Sequence, residues 1–267
     1  MSYLYFLGNS TNSQMLGCIV QTESKTIIFD GGTLGDAEPL ADVIKEYTQS
    51  HVAGWFFTHP HHDHLGAFSK IQKEHQEITV DRVYSHFPSL EMLQEYGNRT
   101  GEEELLWADF EKISATRCTK VQAGEVYKFD DVTISVLRVF NPDIKTNFVN
   151  NSSAVYRLDG PNKSVLLLGD LGVEGGSEVM RTIPAEKLYA DYTQLAHLGQ
   201  NGVDYSFYEY IRPKACLWAA PEWLYNNDLG QGFDTGPFNT VRMREWMCAL
   251  GVMGHIVAKD GTTRILL

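Results

Sequence analysis

The chain lacks long apolar runs and clustered basic residues. No stretch of about 18 consecutive apolar residues occurs in the 267-residue sequence, so we expect no membrane-spanning helix. Lysine and arginine total 22 against 34 aspartates and glutamates, giving a formal net charge of −12, and the basic residues are scattered. Because nucleic acids are bound by clustered Lys and Arg, this balance favours a small-molecule substrate over a nucleic-acid partner.

Cysteine is sparse as well. The four cysteines lie far apart and form no CxxC pair: Cys18, Cys118, Cys216 and Cys248. This spacing offers no thiolate metal motif and favours reduced thiols in the core, as is typical of cytoplasmic proteins. Residues 1–5 lack the basic segment of a signal peptide, so a cytoplasmic protein is the expectation.

Histidine, in contrast, is concentrated in one segment. Residues 58–64 read Thr-His-Pro-His-His-Asp-His and hold four of the nine histidines. The apolar run 52–57 before them predicts a buried strand, and residues 65–68 predict the opening of a helix, which places the cluster on a loop. Imidazole nitrogen and carboxylate oxygen suit zinc, manganese and iron, so the segment indicates metal binding rather than a histidine-rich surface loop.

The spacing within this segment favours two metals. His59 and His61 are two residues apart, so in an extended loop they project to the same side and can bind one ion. Asp63 and His64 follow after the chain turns and can face a second ion. Two ions about 3.5–4 Å apart can share a hydroxide and stabilise both sides of a displacement.

The arrangement His-x-His-x-Asp-His resembles the signature of the metallo-β-lactamase superfamily. Three further segments resemble that family's motifs in the family's order: 26–32 (ending Asp-Gly-Gly), 164–170 (ending Gly-Asp) and 195–199 (Leu-Ala-His-Leu-Gly). Residues 150–155, Asn-Asn-Ser-Ser-Ala-Val, resemble the branch that includes competence-protein hydrolase domains. The resemblance implies an α/β (α+β) fold, a four-layer αββα sandwich, and the absence of any linker predicts one domain over 1–267.

The resemblance also implies a ligand set. His59 and His61 would hold the first metal, and Asp170 would bridge it to the second. The second metal would be held by Asp63, His64 and His197. The implied cofactors are two divalent ions, zinc or manganese, with iron as a further option.

The two carboxylates of this ligand set, Asp63 and Asp170, are the predicted catalytic residues. By the same resemblance a hydroxide bridging the metals would be the nucleophile, and Asp63 would orient that water or accept its proton. Asp170 ends an apolar strand after a glycine, where a buried carboxylate needs a strong partner such as a cation. The alternative for Asp170 is a helix cap or turn residue.

One family ligand is missing. Most members carry a third histidine just before the strand that begins here at Ala154, but no histidine lies between His86 and His197. The candidates to replace it are Asn147, Asn150 and Asn151. An asparagine carbonyl binds more weakly than imidazole and favours harder ions such as Mn²⁺, so we expect the second metal to bind more tightly than the first. The alternative is that these asparagines only satisfy turn backbone.

The features together favour a metal-dependent hydrolase acting on a phosphodiester or another small ester-type substrate. A lactone or thioester hydrolase of the same fold is the nearest alternative, while an iron-dependent oxygenase normally keeps the missing histidine. The non-enzymatic alternative is a catalytically degenerate metal-binding protein. It is supported by the missing histidine and by Leu198, which stands where the branch carries the second histidine of a His-His pair.

Three predictions concern the surroundings of the site. Asp30 is expected to support the metal loop by hydrogen bonds without binding metal. The segment Ala219–Asn239, long and rich in aromatics, predicts either a wall over the metals or a flap that covers the sheet edge. Apolar periodicity predicts helices over residues 37–47, 90–96, 102–116, 186–195, 205–211 and 240–250.

Overall fold

The computed structural model describes residues 1–97 and 101–267. The described residues form sixteen strands: β1 Tyr3–Phe6, β2 Gly17–Gln21, β3 Thr26–Asp30, β4 His51–Val52, β5 Gly54–Phe56, β6 Thr79–Val80, β7 Val83–Ser85, β8 Cys118–Lys120, β9 Val126–Phe129, β10 Val132–Arg138, β11 Val155–Asp159, β12 Ser164–Leu167, β13 Tyr192–Gln194, β14 Ala215–Trp218, β15 Gly254–Val257 and β16 Thr263–Leu266.

The α-helices of the same residues vary from one turn to four. They are α1 Ala37–Thr48, α2 His62–Glu74, α3 Leu90–Tyr96, α4 Gly101–Ser114, α5 Phe148–Asn151, α6 Val173–Thr182, α7 Ala185–Leu188, α8 Tyr205–Ile211, α9 Glu222–Tyr225 and α10 Thr240–Ala249. Short 3₁₀ turns span Leu34–Asp36, Ala196–Gly199 and Ala258–Asp260.

Two seven-stranded sheets organise the chain. The first has the order β16-β1-β2-β3-β5-β7-β8 and the second the order β15-β14-β13-β12-β11-β10-β9. Each sheet is antiparallel at one end and parallel at the other, with β3 parallel to β5 and β12 parallel to β13. The two sheets are therefore built on the same plan, one from each half of the chain, apart from the return of β16 to the first sheet.

Alternating side chains explain why both faces of each sheet are covered. Ile27 packs between the two sheets, whereas its neighbour Ile28 packs on the outer face of the first sheet against helices α1, α2 and α4. In the second sheet, Val165 points between the sheets and Leu166 packs against α6, α8 and α10. Since successive residues of a strand point to opposite faces, sheets buried on both faces need apolar residues in continuous runs. The layers are helix, sheet, sheet and helix, which confirms the αββα sandwich.

One predicted helix is wrong. The periodicity over 186–195 predicted a helix, but α7 ends at Leu188 and β13 follows. The strand β13 is bonded in parallel on both sides, to β12 and β14, and Asp191 accepts a hydrogen bond from Ser164 N at 3.0 Å. These partners lie far away in sequence, and local periodicity does not separate a short buried strand from a helical turn.

The segment Ala219–Asn239 covers an edge of the sandwich. Trp223 and Phe238 pack against the core between the sheets, with ring centroids 5.1 Å apart. The indole Nε1 of Trp223 donates to the backbone oxygen of Asn12 at 2.9 Å, while Phe233 remains 60% exposed. These contacts favour the flap interpretation over a wall above the metals.

The structure tests the predictions on membrane spans and on the burial of the cysteines. No helix within residues 1–97 and 101–267 is long and apolar enough to span a membrane. Cys18 and Cys216 are buried, as expected of core thiols, whereas that expectation is wrong for Cys118 and Cys248, which are exposed. Cys118 lies on β8 at the edge of its sheet, and Cys248 lies in the last turn of α10.

Candidate metal centre

The site lies at the carboxyl ends of two pairs of parallel strands. Asp30 ends β3, and the histidine segment follows its parallel neighbour β5. In the second sheet, Asp170 follows β12 and His197 follows its parallel neighbour β13. Because parallel strands end at the same edge of a sheet, each sheet supplies one pair of segments to a common place.

The histidine segment divides into a loop and a helix start. His61 has extended backbone (φ −76°, ψ 156°) and precedes the first residue of α2. Asp63 and His64 therefore lie in the first helical turn, where the sequence had predicted only a bend in the loop. This turn brings the imidazole of His64 next to that of His59, with ring centroids 4.1 Å apart.

Asp170 is the centre of the cluster. Its Oδ1 lies 3.4 Å from His64 Nε2, and its Oδ2 lies 3.7 Å from His59 Nε2. The same Oδ2 lies 3.8 Å from Nε2 of His197. One buried carboxylate thus contacts histidines from both halves of the chain, the position expected of a bridging ligand.

The two remaining predicted ligands lie beside this centre. His61 Nδ1 is 3.0 Å from His59 Nε2, and Asp63 Oδ2 is 3.8 Å from His64 Nε2. The tightest group is His59, His64 and Asp170, which each offer a ligand atom within 4.8 Å of the others. The structure therefore brings three of the six predicted ligands into one group, while His61, Asp63 and His197 each lie within 4 Å of one member of it.

Buried polar atoms without partners mark the centre as a cation site. Among the described residues, His64 Nε2 and Asp170 Oδ1 are buried and have no hydrogen-bond partner. A buried polar group left unpaired costs about 1–3 kcal/mol, and more when it is charged. A divalent cation satisfies both atoms at once, and a set of imidazole and carboxylate donors suits zinc, manganese or iron. The residues present fit the metal ions that the motif predicts.

The protonation states of two histidines suit metal binding, whereas His64 would have to lose a proton. Burial lowers the pKa of His64, but Asp170, Asp30 and Asp63 outweigh burial and raise that pKa well above the usual range. Burial lowers the pKa of both His59 and His61, which favours the neutral imidazole that binds metal. Burial opposes the ionisation of Asp170, but the surrounding histidines, chiefly His64, outweigh it and hold its pKa well below the usual range. The bridging position therefore carries a carboxylate rather than a neutral acid.

Asp30 holds two of the histidines in place. Its Oδ1 accepts from Thr58 N at 2.8 Å, and its Oδ2 accepts from Thr58 Oγ1 at 2.7 Å and from His64 Nδ1 at 2.9 Å. Thr58 Oγ1 also lies 3.1 Å from His59 Nδ1. With Nδ1 engaged, both imidazoles present Nε2 towards Asp170. The prediction that Asp30 supports the metal loop is confirmed. Burial raises the pKa of its carboxyl, although His64 and the hydrogen bonds oppose that shift.

His197 lies in a strained turn. His197 and Leu198 both have left-handed backbone, with φ of 52° and 57°. Such a conformation costs a non-glycine residue about 1–2 kcal/mol, and the surroundings hold it here. His197 N donates to Gly169 O at 3.0 Å, and the side chain of Leu198 is fully buried between the sheets. Leu198 therefore serves the core, and His197 is the residue of this turn that contacts Asp170.

Glycine is required at position 169 because the side chains of Thr58 and Ser153 approach its backbone closely. Its φ is 57°, and a Cβ at this position would lie 2.7 Å from Thr58 Cβ and 3.0 Å from Ser153 Oγ. Ser153 Oγ in turn accepts from Asp170 N at 3.0 Å. The Gly-Asp pair of the motif thus lets the second sheet touch the histidine loop while Ser153 fixes the backbone of Asp170.

The three asparagines proposed for the missing ligand differ in their surroundings. Asn147 is exposed and has left-handed backbone with φ 44°. Asn151 is buried, and its side chain bonds to the backbone of Gly172 and Gly175 at the start of α6. Asn150 is buried, and its Oδ1 has no hydrogen-bond partner among the described residues.

The other histidines have structural contacts outside this centre. His86 Nδ1 lies 2.5 Å from the backbone oxygen of Val121, and His255 Nδ1 accepts from Trp218 Nε1 at 3.1 Å. His62, which the motif left without a role, lies 3.7 Å from Glu103 on α4. Two residues that the sequence did not single out, Thr58 and Ser153, prove to position ligands. Thr58 stands next to the motif, but nothing in the sequence pairs Ser153 with Asp170.

A cavity of about 280 Å³ lies next in sequence to the segments that carry Asp170 and His197, although none of the six predicted ligands lines it. It is lined by Val173, three residues after Asp170, and by Gln200, whose backbone nitrogen donates to His197 O at 3.0 Å. Its other lining residues are Asn201, Gly202, Val203, Asp204, Asn239, Arg242, Met243 and Trp246. The exposed Arg242 forms no ion pair with any residue of the described ranges, and Asp204 bonds instead to Phe207 N as the cap of α8.

Comparison with known proteins agrees with this geometry. The sequence matches the model of the metallo-beta-lactamase superfamily over residues 18–201. ComE operon protein 3 of Bacillus subtilis (strain 168) is 30% identical over 166 residues, which cover 61% of this chain and only 19% of that protein.

Two solved structures share the fold but differ in chemistry. CmlA, a diiron β-hydroxylase from Streptomyces venezuelae, aligns with a TM-score of 0.58 at 12% identity, covering 100% of this chain and 54% of the other. A diphosphatase from the PhnP family aligns with a TM-score of 0.53 at 14% identity, covering 100% of this chain and 98% of the other. At these identities the likeness shows the fold alone.

Proposed function

Because the chain belongs to the metallo-β-lactamase superfamily, we propose that it is a metal-dependent hydrolase of a phosphodiester or another small ester-type substrate. The observation that carries the proposal is the buried Asp170 carboxylate, which contacts His59, His64 and His197 and leaves one oxygen unpaired among the described residues. A site that only stabilised the fold would not need a buried carboxylate surrounded by three imidazoles at the end of a strand.

Each residue of the centre has a proposed part in the reaction. Divalent ions, zinc or manganese, would polarise the ester oxygen and lower the pKa of water. His59 and His61 would hold the first ion and His64 and His197 the second, with Asp170 between them. Asp63, 6% exposed and 3.8 Å from His64 Nε2, would accept the proton of the attacking water on its carboxylate.

We propose the cavity lined by Val173 and Gln200 as the substrate site, because these residues adjoin the segments that carry Asp170 and His197, and its lining suits an anionic substrate of modest size. Its volume of about 280 Å³ suits a small molecule rather than a polymer. Arg242 supplies a guanidinium that can bind a phosphate oxygen of the substrate, and Gln200 and Asn201 can donate hydrogen bonds. This polarity favours a phosphodiester over an uncharged lactone or a thioester.

The proposal is tested with protein loaded separately with Mn²⁺ and Zn²⁺. Bis-p-nitrophenyl phosphate, a lactone and a thioester are assayed side by side, and Asp170→Asn serves as the inactive control. We expect phosphodiester turnover, lost in the control, with KM for the phosphodiester raised about 10-fold by Arg242→Ala and kcat little changed. Absence of turnover on every substrate at full metal occupancy would overturn the proposal and favour a metal-binding protein without catalysis.

We also propose a cytoplasmic location. Two exposed free thiols, Cys118 and Cys248, suit a reducing compartment, because exposed cysteines tend to oxidise elsewhere. Subcellular fractionation of the native host tests this, and recovery outside the cytoplasm would contradict it.

A further inference from the structure

We propose that the side-chain oxygen of Asn150 takes the place of the missing third histidine at the first metal, the ion assigned to His59 and His61. The inference depends on the metal centre of the proposed function and not on its hydrolytic activity. It gives one of three candidate asparagines a role and accounts for a buried atom that nothing else in the described chain satisfies.

The position of Asn150 follows from a chain of hydrogen bonds. Asn150 begins the turn before β11, and its backbone oxygen accepts from Ser153 N at 3.0 Å. Ser153 Oγ accepts from Asp170 N at 3.0 Å. One residue further on, Ala154 N donates to the backbone oxygen of Thr58, the residue before His59, at 2.9 Å. This turn therefore bonds both to the histidine loop and to the backbone of Asp170, whose carboxylate is the predicted bridging ligand.

Only one end of the Asn150 side-chain amide forms a hydrogen bond with the described residues. Its Nδ2 donates to Asn147 Oδ1 at 3.0 Å. Its Oδ1 is buried, in a residue only 6% exposed, and accepts no hydrogen bond from the described residues. An amide has its oxygen and nitrogen on opposite sides, so the oxygen faces away from exposed Asn147. Leaving such an oxygen unpaired costs about 1–3 kcal/mol, which a cation would offset.

The other two asparagines are excluded by their contacts. Asn151 uses both ends of its amide: Oδ1 accepts from Gly172 N and Gly175 N, both at 3.0 Å, and Nδ2 donates to Thr146 O at 2.8 Å. It anchors the start of α6 to the turn and has no ligand atom to spare. Asn147 is exposed and already supplies its oxygen to Asn150.

An amide oxygen in this place makes the two metals unequal. A neutral carbonyl is a weaker donor than imidazole to zinc and is better suited to manganese. The first ion would then have two histidines, a bridging carboxylate and a weak oxygen. The second would keep Asp63, His64 and His197. We therefore expect a tight site and a weaker site, with the weaker one selective for Mn²⁺.

The experiment compares Asn150→Asp and Asn150→Leu with the wild-type protein and with Asn147→Gly, which removes only the acceptor of Asn150 Nδ2. Glycine at 147 retains the left-handed backbone and removes a neighbouring amide of the same chemistry. Metal content is measured by elemental analysis, and both dissociation constants by competition with a chelator, for Mn²⁺ and Zn²⁺.

We expect Asn150→Leu to weaken the weaker site about 10- to 100-fold, the usual effect of losing a group around a metal, and to leave the tight site unchanged. Asn150→Asp adds a charged oxygen of the same shape, so it should strengthen the weaker site and increase the rise in Tm on adding metal. Asn147→Gly should weaken the weaker site by less than Asn150→Leu, because it removes one hydrogen bond to the ligand and not the ligand itself, and it should leave the tight site unchanged.

Two outcomes would overturn the inference. One is that Asn150→Asp leaves the weaker site and the metal-induced rise in Tm unchanged; this variant retains the test if Asn150→Leu does not fold. The other is a wild-type protein with two equally tight sites or with one site only. Since no turnover is measured, a protein that binds metal as expected and hydrolyses nothing would contradict the proposed function alone.

Discussion

Replacing Asp30 with asparagine should distinguish the contribution of Asp30 to fold stability from its contribution to metal affinity. The carboxylate of Asp30 is fully buried and accepts three hydrogen bonds: one on Oδ1 from Thr58 N, and two on Oδ2 from Thr58 Oγ1 and His64 Nδ1. An asparagine of the same shape keeps the first acceptor and puts an NH₂ group in place of Oδ2. The hydroxyl of Thr58 can rotate to accept from that group, whereas His64 can accept only by moving its proton from Nδ1 to Nε2.

The expected magnitudes follow from those three bonds. A hydrogen bond to a charged group contributes about 1.5–3 kcal/mol. The bond from Thr58 N is kept, the two bonds on Oδ2 are reversed, and all three lose their charged acceptor, so Asp30→Asn should lower the free energy of unfolding by about 2–4 kcal/mol. A proton on Nε2 removes the lone pair that His64 presents towards Asp170, so affinity for the second metal should fall about 10- to 100-fold.

Asp36→Asn is the matched control. Asp36 is also buried, at 1% exposure, and its Oδ2 accepts from Thr33 N at 2.8 Å and Thr33 Oγ1 at 2.7 Å, without contact to a histidine. Urea unfolding of metal-free protein should show comparable losses for both variants, and chelator competition should show weaker metal binding only for Asp30→Asn. Equal metal affinities for the two variants would refute the role given to Asp30.

Three further predictions address the sandwich. Gly169→Ala should cost about 1–3 kcal/mol beyond Gly124→Ala in urea unfolding, because both have positive φ but only the former meets another residue, Thr58; equal losses would contradict the clash. Trp223→Ala should lower stability by about 2–4 kcal/mol and leave metal content unchanged, and loss of metal with full stability would instead favour a wall over the site. A thiol reagent at pH 8 should modify two cysteines of the native protein and four after unfolding, since burial raises the pKa of Cys216 to about 12; rapid reaction of all four would contradict this.

The sequence predicts the first half of the site better than the second. His59 to His64 lie close together in the chain, so their spacing alone indicates a shared metal. The position of Asp170 after an apolar strand predicts a buried carboxylate in need of a cation, but only resemblance to family motifs joins Asp170 and His197 to the histidines, because their approach depends on how two sheets pack. The structure brings Asp170 within 4 Å of His59, His64 and His197.

The features that the sequence does not predict are those set by distant partners. β13 was predicted as helix because its pairing with β12 and β14 is invisible in local periodicity. The three asparagines near residue 150 are equivalent in sequence, yet Asn151 is a helix anchor and Asn150 has an unpaired oxygen. The two residues differ because this turn contacts the start of α6, and sequence spacing does not predict that contact.

The division of the site between two sheets has a consequence for the order of folding. A chain whose first sheet alone has formed presents His59 and His64 but not Asp170, and a chain whose second sheet alone has formed presents the carboxylate without most of the histidines. Neither half offers a complete coordination sphere, so tight metal uptake should follow the docking of the sheets rather than guide it. Metal binding would then stabilise the docked sheets after they have formed. It would raise the free energy of unfolding by about 2.7 kcal/mol when free metal is 100 times its dissociation constant.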